Sequence, residues 1–305
     1  MTEASPFVSV VIPIRNAERT VGECLDSLMR LDYDPERREI LVVDNGSTDR
    51  TAEIVRSYPV RCLVEPRRGA SAARNRGIGA ARGEIVAFTD ADCVVTKRWL
   101  SALVRAFDSP EVWGAAGEIV AYPPRTPAER FLARYKGRWQ EPALEARRPF
   151  AVTSNAAFRR ETFDRVGLFD TRLIKAQDKD FGWRFFAAGD LRIAYSPEAL
   201  VLHRHRDTAW RLFTQHAGWG YGAALLHRKH GLPWSLRLEL GKQRELVGAA
   251  RALAAEGARH GIGRGNGDLH DPAFELVRRL GLRAGALYGL ATARHRLAPG
   301  RGDGG

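Results

Sequence analysis

The chain has 305 residues, enough for one large domain or for one domain with a smaller appendage. With 44% hydrophobic and 28% charged residues, its composition is typical of a soluble globular protein with a sizeable core. No apolar run approaches the roughly 20 residues that span a bilayer, and the polar start of the chain does not resemble a secretory signal. Cys24, Cys62 and Cys93 lack metal-ligand spacing, so we expect reduced thiols in a cytoplasmic protein.

The net charge of +12 is unevenly distributed along the chain. Residues 201–305 contain 17 Lys+Arg and 8 Asp+Glu, a balance of +9, which leaves +3 for the first 200 residues. Such a basic segment favours an anionic neighbour, although an arginine-rich composition alone would also explain it. Because no nucleic-acid-binding module is recognisable, we expect membrane lipid or a phosphate-bearing substrate and no nucleic acid.

The first 120 residues alternate between strand-like and helix-like patterns. Strands are predicted at 7–12, where Pro13 ends the first, and at 40–43, 60–64 and 84–89, and helices at 21–28, 51–57, 69–81 and 100–107. This alternation predicts an α/β fold in which helices cover a mainly parallel sheet. No Gly-x-Gly-x-x-Gly motif follows the first strand, which argues against a dinucleotide-dependent dehydrogenase.

The rest of the chain is predicted to be mixed and then mostly helical. We expect strands at 113–122, 152–158, 193–195 and 199–202, a loop at 123–127, and helices at 161–166 and 177–188. Beyond residue 207 the helices are interrupted near Pro233 and by a glycine-rich linker near 261–268. Residues 274–297 mix apolar residues with arginines, which is typical either of a helix lying on a membrane or of a helix packed on the core with solvated arginines.

Polar residues follow three of the predicted strands, at 13–16, 44–47 and 90–92. Ligands of open α/β sheets bind outside the carboxyl ends of the strands, so these three segments mark the expected site. Asp90 and Asp92 repel each other, and a divalent cation bridging them to a diphosphate would explain their spacing, as would an ordinary solvated turn.

Four segments in register, at 8–16, 41–49, 69–77 and 88–92, closely resemble the successive signatures of family 2 glycosyltransferases. The resemblance covers about residues 7–205 and implies a GT-A-type nucleotide-binding sandwich that transfers a sugar from a nucleotide donor with inversion. It implies a domain over 1–206, with a nucleotide-sugar half at about 1–120 and an acceptor half at about 121–206. A basic, mostly helical extension would then occupy 207–305.

The resemblance assigns the nucleotide to the strand ends. It implies that Asp44 accepts hydrogen bonds from the base, although Asp-Asn-Gly-Ser would equally form a tight turn or a helix cap. Arg74 would reach the diphosphate, or would form a surface salt bridge. The complete set of expected nucleotide-binding residues is Pro13, Arg15, Asn16, Asp44, Gly46, Ser47, Arg74, Asp90 and Ala91.

The resemblance also implies a metal, Mn²⁺ or Mg²⁺, that neutralises charge on the departing nucleoside diphosphate. Asp92 would ligate it, and Asp90 would contact the ribose or a metal-bound water. His203 or His205 would supply a further ligand, and because both lie on the same side of an extended segment the spacing does not choose between them.

A second acidic group, Gln177-Asp178-Lys179-Asp180, resembles the family's Glu-Asp-x-Asp helix start, with glutamine in place of the commoner glutamate. The matching position makes Asp178 the expected general base and Asp180 the reserve; the alternative is a helix cap. Ser154 and Asn155 match the segment that shapes the acceptor pocket, or belong to an internal strand.

The resemblance, together with these residues, implies an inverting, metal-dependent glycosyltransferase. Its partners would be a nucleoside-diphosphate sugar and a glycan or lipid-linked acceptor, and it would work in the cytoplasm, with peripheral contact to the inner membrane face through the basic third. The alternative is a non-catalytic nucleotide-sugar-binding or scaffolding protein with a degenerate site, for which Gln177 is the support.

Overall fold

The computed structural model describes residues 5–232, five positions between 247 and 254, and residues 270–296. The predicted linker near 261–268 lies outside the described residues. The chain divides into two compact units. Unit 1 consists of Met1–Pro123, Lys136–Thr171 and Gln177–Arg204, and unit 2 of Pro124–Tyr135, Arg172–Ala176 and the chain from His205 onward. The segments Pro124–Tyr135 and Arg172–Ala176 therefore belong to unit 2, although they precede the predicted domain boundary at residue 206.

Unit 1 is built on one eight-stranded sheet with the order β3-β2-β1-β4-β7-β6-β8-β5. Its strands, in chain order, are β1 Val8–Ile14, β2 Arg38–Asp44, β3 Arg61–Val64, β4 Ile85–Thr89, β5 Cys93–Val95, β6 Val112–Ala121, β7 Asn155–Arg159 and β8 Arg192–His203. Only β5 and β7 run against the direction of the other strands. The mainly parallel α/β sheet predicted from the sequence is thus confirmed.

Ten α-helices are described, and a short 3₁₀ helix covers Pro35–Arg37. They are α1 Val21–Met29, α2 Thr51–Arg56, α3 Ala70–Ala80, α4 Trp99–Arg105, α5 Pro127–Lys136, α6 Gln140–Leu144, α7 Thr162–Val166, α8 Gln177–Ala187, α9 Ala209–Lys229 and α10 His270–Arg296. In unit 1, two separate apolar clusters form on the sheet, one containing Leu25 and Trp99 and the other containing Phe88 and Phe181. Helices therefore cover both faces of the sheet, which leaves its edges for ligands.

Several element boundaries differ from the sequence prediction. β1 continues through Pro13, which is tolerated because β4 pairs with β1 only as far as Val11 and the missing N–H breaks no bond on that side. The two short strands predicted at 193–195 and 199–202 are one strand, β8, whose pairing with β6 shifts register between Gly117 and Ile119. Helices α5 and α6 were not predicted.

The side-chain amide of Asn155 fastens this irregular part of the sheet. Its Nδ2 donates to the carbonyl oxygens of Glu118 in β6, at 2.8 Å, and Ala199 in β8, at 2.7 Å. Its Oδ1 accepts a 2.7 Å hydrogen bond from the indole N–H of Trp99 in α4. Asn155 is fully buried, so these bonds satisfy backbone groups that water does not reach where the β6–β8 ladder is interrupted.

Unit 2 contains a pair of helices, α9 and α10, whose backbones touch. A Cβ on Gly285 would collide with the carbonyl oxygen of Ala217, and one on Gly220 with that of Leu282. Small residues at such positions permit the close approach. Within the described part of the chain, no helix combines the length and the apolarity needed to cross a membrane.

We expect Asn155→Leu to lower the free energy of unfolding by about 3 kcal/mol, because it leaves two buried carbonyls and an indole N–H short of a partner. Urea unfolding followed by circular dichroism measures this cost. Trp99→Phe removes one of the three bonds and should cost less. A loss below about 1 kcal/mol for Asn155→Leu would contradict the fastening role.

Candidate active site

The three polar segments predicted to form a site meet at one edge of the sheet. Strands β2, β1 and β4 are parallel neighbours, and Ile14 lies opposite Asp44 in the register. Asp44 is the last residue of β2, and Asn16 and Asp90 follow β1 and β4, so all three share the carboxyl edge of the sheet. This is the edge at which α/β proteins bind ligands.

The turn after β2 is held by its own side chains. Asp44 Oδ1 accepts hydrogen bonds from the N–H of Ser47, at 3.0 Å, and from its hydroxyl, at 2.7 Å, while Gly46 has the positive φ of +78° that this turn requires. The N–H of Asn16 donates to Ser47 Oγ, and Asn16 Oδ1 accepts from the N–H of Thr48. The turn expected for this motif is therefore present, and it is cross-linked to the loop after β1, where Pro13 is part of β1 and Arg15 is exposed.

Asn45 is a site residue that the sequence analysis did not single out. Its Nδ2 donates to the carbonyl oxygens of Glu65 and Arg67, and its Oδ1 accepts from the N–H of Gly69. These bonds fix the loop that leads from β3 into α3, the helix that carries Arg74. The signal available in the sequence was the position of Asn45 directly after Asp44 at a strand end.

Arg74 pairs with the first aspartate of the 90–92 segment. Its Nη2 lies 2.8 Å from Asp90 Oδ1, and only 6% of the Arg74 side chain is exposed, compared with 30% for Asp90. Arg74 therefore has a salt-bridge partner, but it is a buried arginine and not the surface arginine of the alternative. The pair offsets one of the two close carboxylates, and Ala91 between them is buried.

Asp92 is brought next to His203 by the pairing of two strands. Cys93 in β5 lies opposite His203 in β8, and the N–H of Arg204 donates to the carbonyl oxygen of Asp92 at 2.9 Å. Asp92 Oδ1 and His203 Nε2 are 3.6 Å apart, and Cys93 Sγ completes a group whose candidate ligand atoms lie within 4.8 Å of one another. Burial raises the pKa of the Cys93 thiol well above its usual range. His205 belongs to unit 2.

A buried carboxylate supports the residues around His203. Glu118 accepts hydrogen bonds from the N–H of Trp139 and from the hydroxyl of Tyr195, and it pairs with Arg138. Burial acts to raise the pKa of Glu118, but these partners hold it below its ordinary value, so the carboxylate is charged. The Trp139 ring lies 5.0 Å from the His203 ring, which places an aromatic surface beside the Asp92–His203 pair. No motif in the sequence pointed to Glu118.

The two aspartates of α8 have different surroundings. Asp178 is half-buried, and burial raises the pKa of its carboxyl above the ordinary aspartate value, while the cations of Lys179 and Arg74 act in the opposite direction. Asp180 has no exposed side-chain area and pairs with Arg184 at 3.1 Å. Arg74 therefore acts electrostatically on both Asp90 and Asp178, whereas Asp180 is enclosed in the helix packing.

The residues expected at the acceptor pocket are both buried. Ser154 precedes β7, and Asn155, its first residue, makes the internal hydrogen bonds described above. Because the Asn155 amide is engaged and has no exposed area, we assign it to the fold and not to acceptor contact. The internal-strand alternative stated for this segment matches its position.

The sequence of this chain is similar to those of known proteins. A family model described as glycosyl transferase family 2 matches residues 9–167. Glycosyltransferase AglE of Haloferax volcanii is 34% identical over 197 residues, which are 62% of this chain and 64% of that protein. The pre-mycofactocin glycosyltransferase of Mycobacterium tuberculosis is 32% identical over 236 residues, 73% of this chain and 48% of that protein. The chain thus spans less than two thirds of the length of these relatives.

Solved structures with the same fold include a mannosyltransferase and TarS of S. aureus. Mannosyltransferase PcManGT from Pyrobaculum calidifontis, in complex with GDP-Man and Mn²⁺, has a TM-score of 0.58 and 22% identity, covering 99% of this chain and 77% of its own. S. aureus TarS 1–349 in complex with UDP has a TM-score of 0.53 and 18% identity, and the match covers 94% of this chain and 91% of the TarS chain. The sheet, its polar carboxyl edge and the match over residues 9–167 lead to one conclusion: the chain has the GT-A fold and belongs to glycosyl transferase family 2.

Proposed function

We propose that this protein transfers a sugar from a nucleoside-diphosphate sugar to an acceptor hydroxyl, with inversion and with the help of a divalent metal. The observation that carries the proposal is the grouping at the carboxyl edge of the sheet. There an Asp92–His203 pair with metal-ligand chemistry lies in the same unit as Asp178, a half-buried carboxylate with a raised pKa. The reaction needs leaving-group stabilisation and base catalysis, and separate side chains would supply these two functions.

The donor site is proposed along the ends of β1, β2 and β4. The cross-linked turns that contain Pro13, Arg15, Asn16, Asp44, Gly46 and Ser47 would hold the nucleoside, while Arg74, Asp90 and Ala91 lie toward the diphosphate. PcManGT was solved with GDP-Man and TarS with UDP, so relatives of this fold bind different bases. We therefore propose the nucleoside-diphosphate class without specifying the base.

Asp92 and His203 are the proposed metal ligands, and Asp90 is assigned to the Arg74 pair and the ribose. A carboxylate oxygen suits Mg²⁺ and Mn²⁺, while an imidazole nitrogen suits transition metals, so the mixed pair favours Mn²⁺ over Mg²⁺. When bound, the metal would neutralise charge that develops on the departing diphosphate. The backbone bond from Arg204 to Asp92 and the Trp139 ring beside His203 hold both ligands in place.

Asp178 is the proposed general base, which takes the proton of the acceptor hydroxyl as that oxygen attacks the anomeric carbon. Its raised pKa makes it a stronger base than an ordinary aspartate. Asp180 is a poor substitute, because its carboxylate is fully buried and paired with Arg184. We propose a glycan or a lipid-linked molecule as the acceptor, on the cytoplasmic side of the membrane.

We expect Asp92→Asn to weaken Mn²⁺ binding at least about tenfold, because loss of an outer-shell partner alone costs about 10–100-fold and this change removes a ligand. Isothermal titration calorimetry with Mn²⁺, with and without GDP, UDP or dTDP, measures the effect. Asp164→Asn, an exposed acid on α7, is the matched control. Equal Mn²⁺ affinity for Asp92→Asn and wild type would remove Asp92 from the metal site.

Asp178→Asn should lower kcat about 10²–10⁴-fold, because the amide cannot accept the acceptor proton. The Kd for the donor nucleotide should stay near that of wild type, and so should the thermal unfolding midpoint. Single-turnover sugar transfer and nucleotide titration separate these quantities. Unchanged turnover would place the base elsewhere in the site.

The pH profile offers a third test. Asp178 works only when ionised, so kcat should fall toward acid along a limb whose pKa lies above the ordinary aspartate value. Arg74→Gln removes a cation that favours the ionised carboxylate, which raises the pKa further, so the limb should move to higher pH. The profile is measured at saturating donor. A limb that stays in place, or moves to lower pH, would contradict the coupling of Arg74 to Asp178.

A further inference from the structure

Helix α10 presents apolar side chains outward. Where side chains are described, between residues 271 and 292, its exposed residues are Leu280, Ala284, Leu287, Tyr288 and Ala291. Successive members of this set are four, three, one and three residues apart, and this spacing places all five on one face of the helix. Leu287 is 52% exposed and Tyr288 64% exposed. We call these five residues the α10 stripe.

Between residues 271 and 292, the charged residues of α10 are more enclosed than the stripe. Arg278 is buried and pairs with Glu275 at 2.6 Å, and Arg279 pairs with the same carboxylate at 2.6 Å. The packing on α9 uses another face of α10, which contains Gly281 and Gly285. A surface helix of a soluble protein normally has the opposite arrangement, with charges outward and apolar residues in contact. The stripe lies beside that face, and its Tyr288 ring packs 5.7 Å from the Tyr221 ring of α9.

The apolar surface continues beside the stripe. Ala284, Gly285 and Tyr288 line an open groove of about 350 Å³ together with Tyr221 of α9 and Ile174, which is itself 40% exposed. Lys175 also lines the groove. A contiguous apolar surface of this kind, bordered by a cation, marks an interaction site more often than an isolated exposed residue does.

The charges near the stripe indicate the sign of the charge that its partner carries. Arg283 is three residues after Leu280 and four before Leu287, so it borders the stripe on the helix surface. Residues 201–305 carry 17 Lys+Arg against 8 Asp+Glu. The surface thus combines an apolar face with positive charge at its border, which is the pattern of helices that lie in an anionic membrane interface.

We propose that the α10 stripe docks unit 2 on the surface of a bilayer that contains anionic lipid. The leucine and alanine side chains enter the acyl boundary, Tyr288 lies at the headgroup level, and Arg283 meets lipid phosphates. A second copy of the chain is a poorer occupant, because a symmetric pairing of two stripes brings two Arg283 side chains to one seam. A glycan lacks the apolar area to cover five such residues. The proposal does not depend on sugar transfer.

The test is flotation of the full chain with vesicles of phosphatidylcholine, alone or mixed with phosphatidylglycerol, without donor or acceptor. We expect binding to the mixed vesicles that Leu280→Ser/Leu287→Ser weakens about tenfold or more, since each leucine contributes apolar burial. Arg283→Gln should weaken it about fivefold and flatten its salt dependence. Leu168→Ser, at an exposed leucine of unit 1, should bind as wild type.

A gain of binding separates the proposal from mere loss of structure. Leu287→Trp should bind the mixed vesicles more tightly than wild type, because tryptophan favours the membrane interface. Absence of wild-type binding, or binding that the stripe substitutions leave unchanged, would overturn the proposal. So would a concentration-dependent dimer, detected by light scattering, that Leu280→Ser/Leu287→Ser dissociates, since the stripe would then face a second copy. Because the vesicle assay contains no donor or acceptor, a negative result in it does not bear on the proposed sugar transfer.

Discussion

The buried amide of Asn155 joins the parts of unit 1 that the site requires. It bonds to carbonyls of β6 and β8 where their ladder is irregular, and to the indole of Trp99 in α4. The Gln140 side chain extends the arrangement, since its Nε2 donates to the Asn155 carbonyl and its Oε1 accepts from the N–H of Val152. Strand β8 ends at His203, so this network sets the direction in which the histidine approaches Asp92.

At the site itself, several carboxylates lie close together, and separate basic side chains offset their charges. Arg74 pairs with Asp90 and also acts on Asp178, Arg184 pairs with Asp180, and His203 lies beside Asp92. Like charges at this density would repel one another without these partners. Burial raises the pKa of Asp178, whose carboxylate accepts a hydrogen bond from the N–H of Lys179 at 2.8 Å. Lys179 and Arg74 act on the Asp178 pKa in the opposite direction, but its net shift is upward.

Unit 2 has a different physical basis. Glycines allow α9 and α10 to pack backbone against backbone, so the pair needs few large side chains at its contact. Leucines and a tyrosine of α10 are consequently left on an outward face, and Arg278 and Arg279 pair with Glu275 instead of covering that face. The two sequence-based interpretations of this segment are therefore not exclusive: one face of α10 packs on α9, and another is exposed and apolar.

The sequence by itself determined the α/β class, the family and the strand ends that carry the polar segments, because hydrophobic periodicity and short motifs are local properties. It also offered, as one alternative, the tight turn that Asp44 forms with Ser47. It did not determine the single irregular strand β8, the helices α5 and α6, or the roles of Glu118 and Asn45, because these depend on partners 20 or more residues away. Only the tertiary structure placed His203 beside Asp92, since strand pairing between β5 and β8 brings together residues that are distant in the chain. The same holds for Asp178, whose pKa is set by burial, a property that no motif encodes.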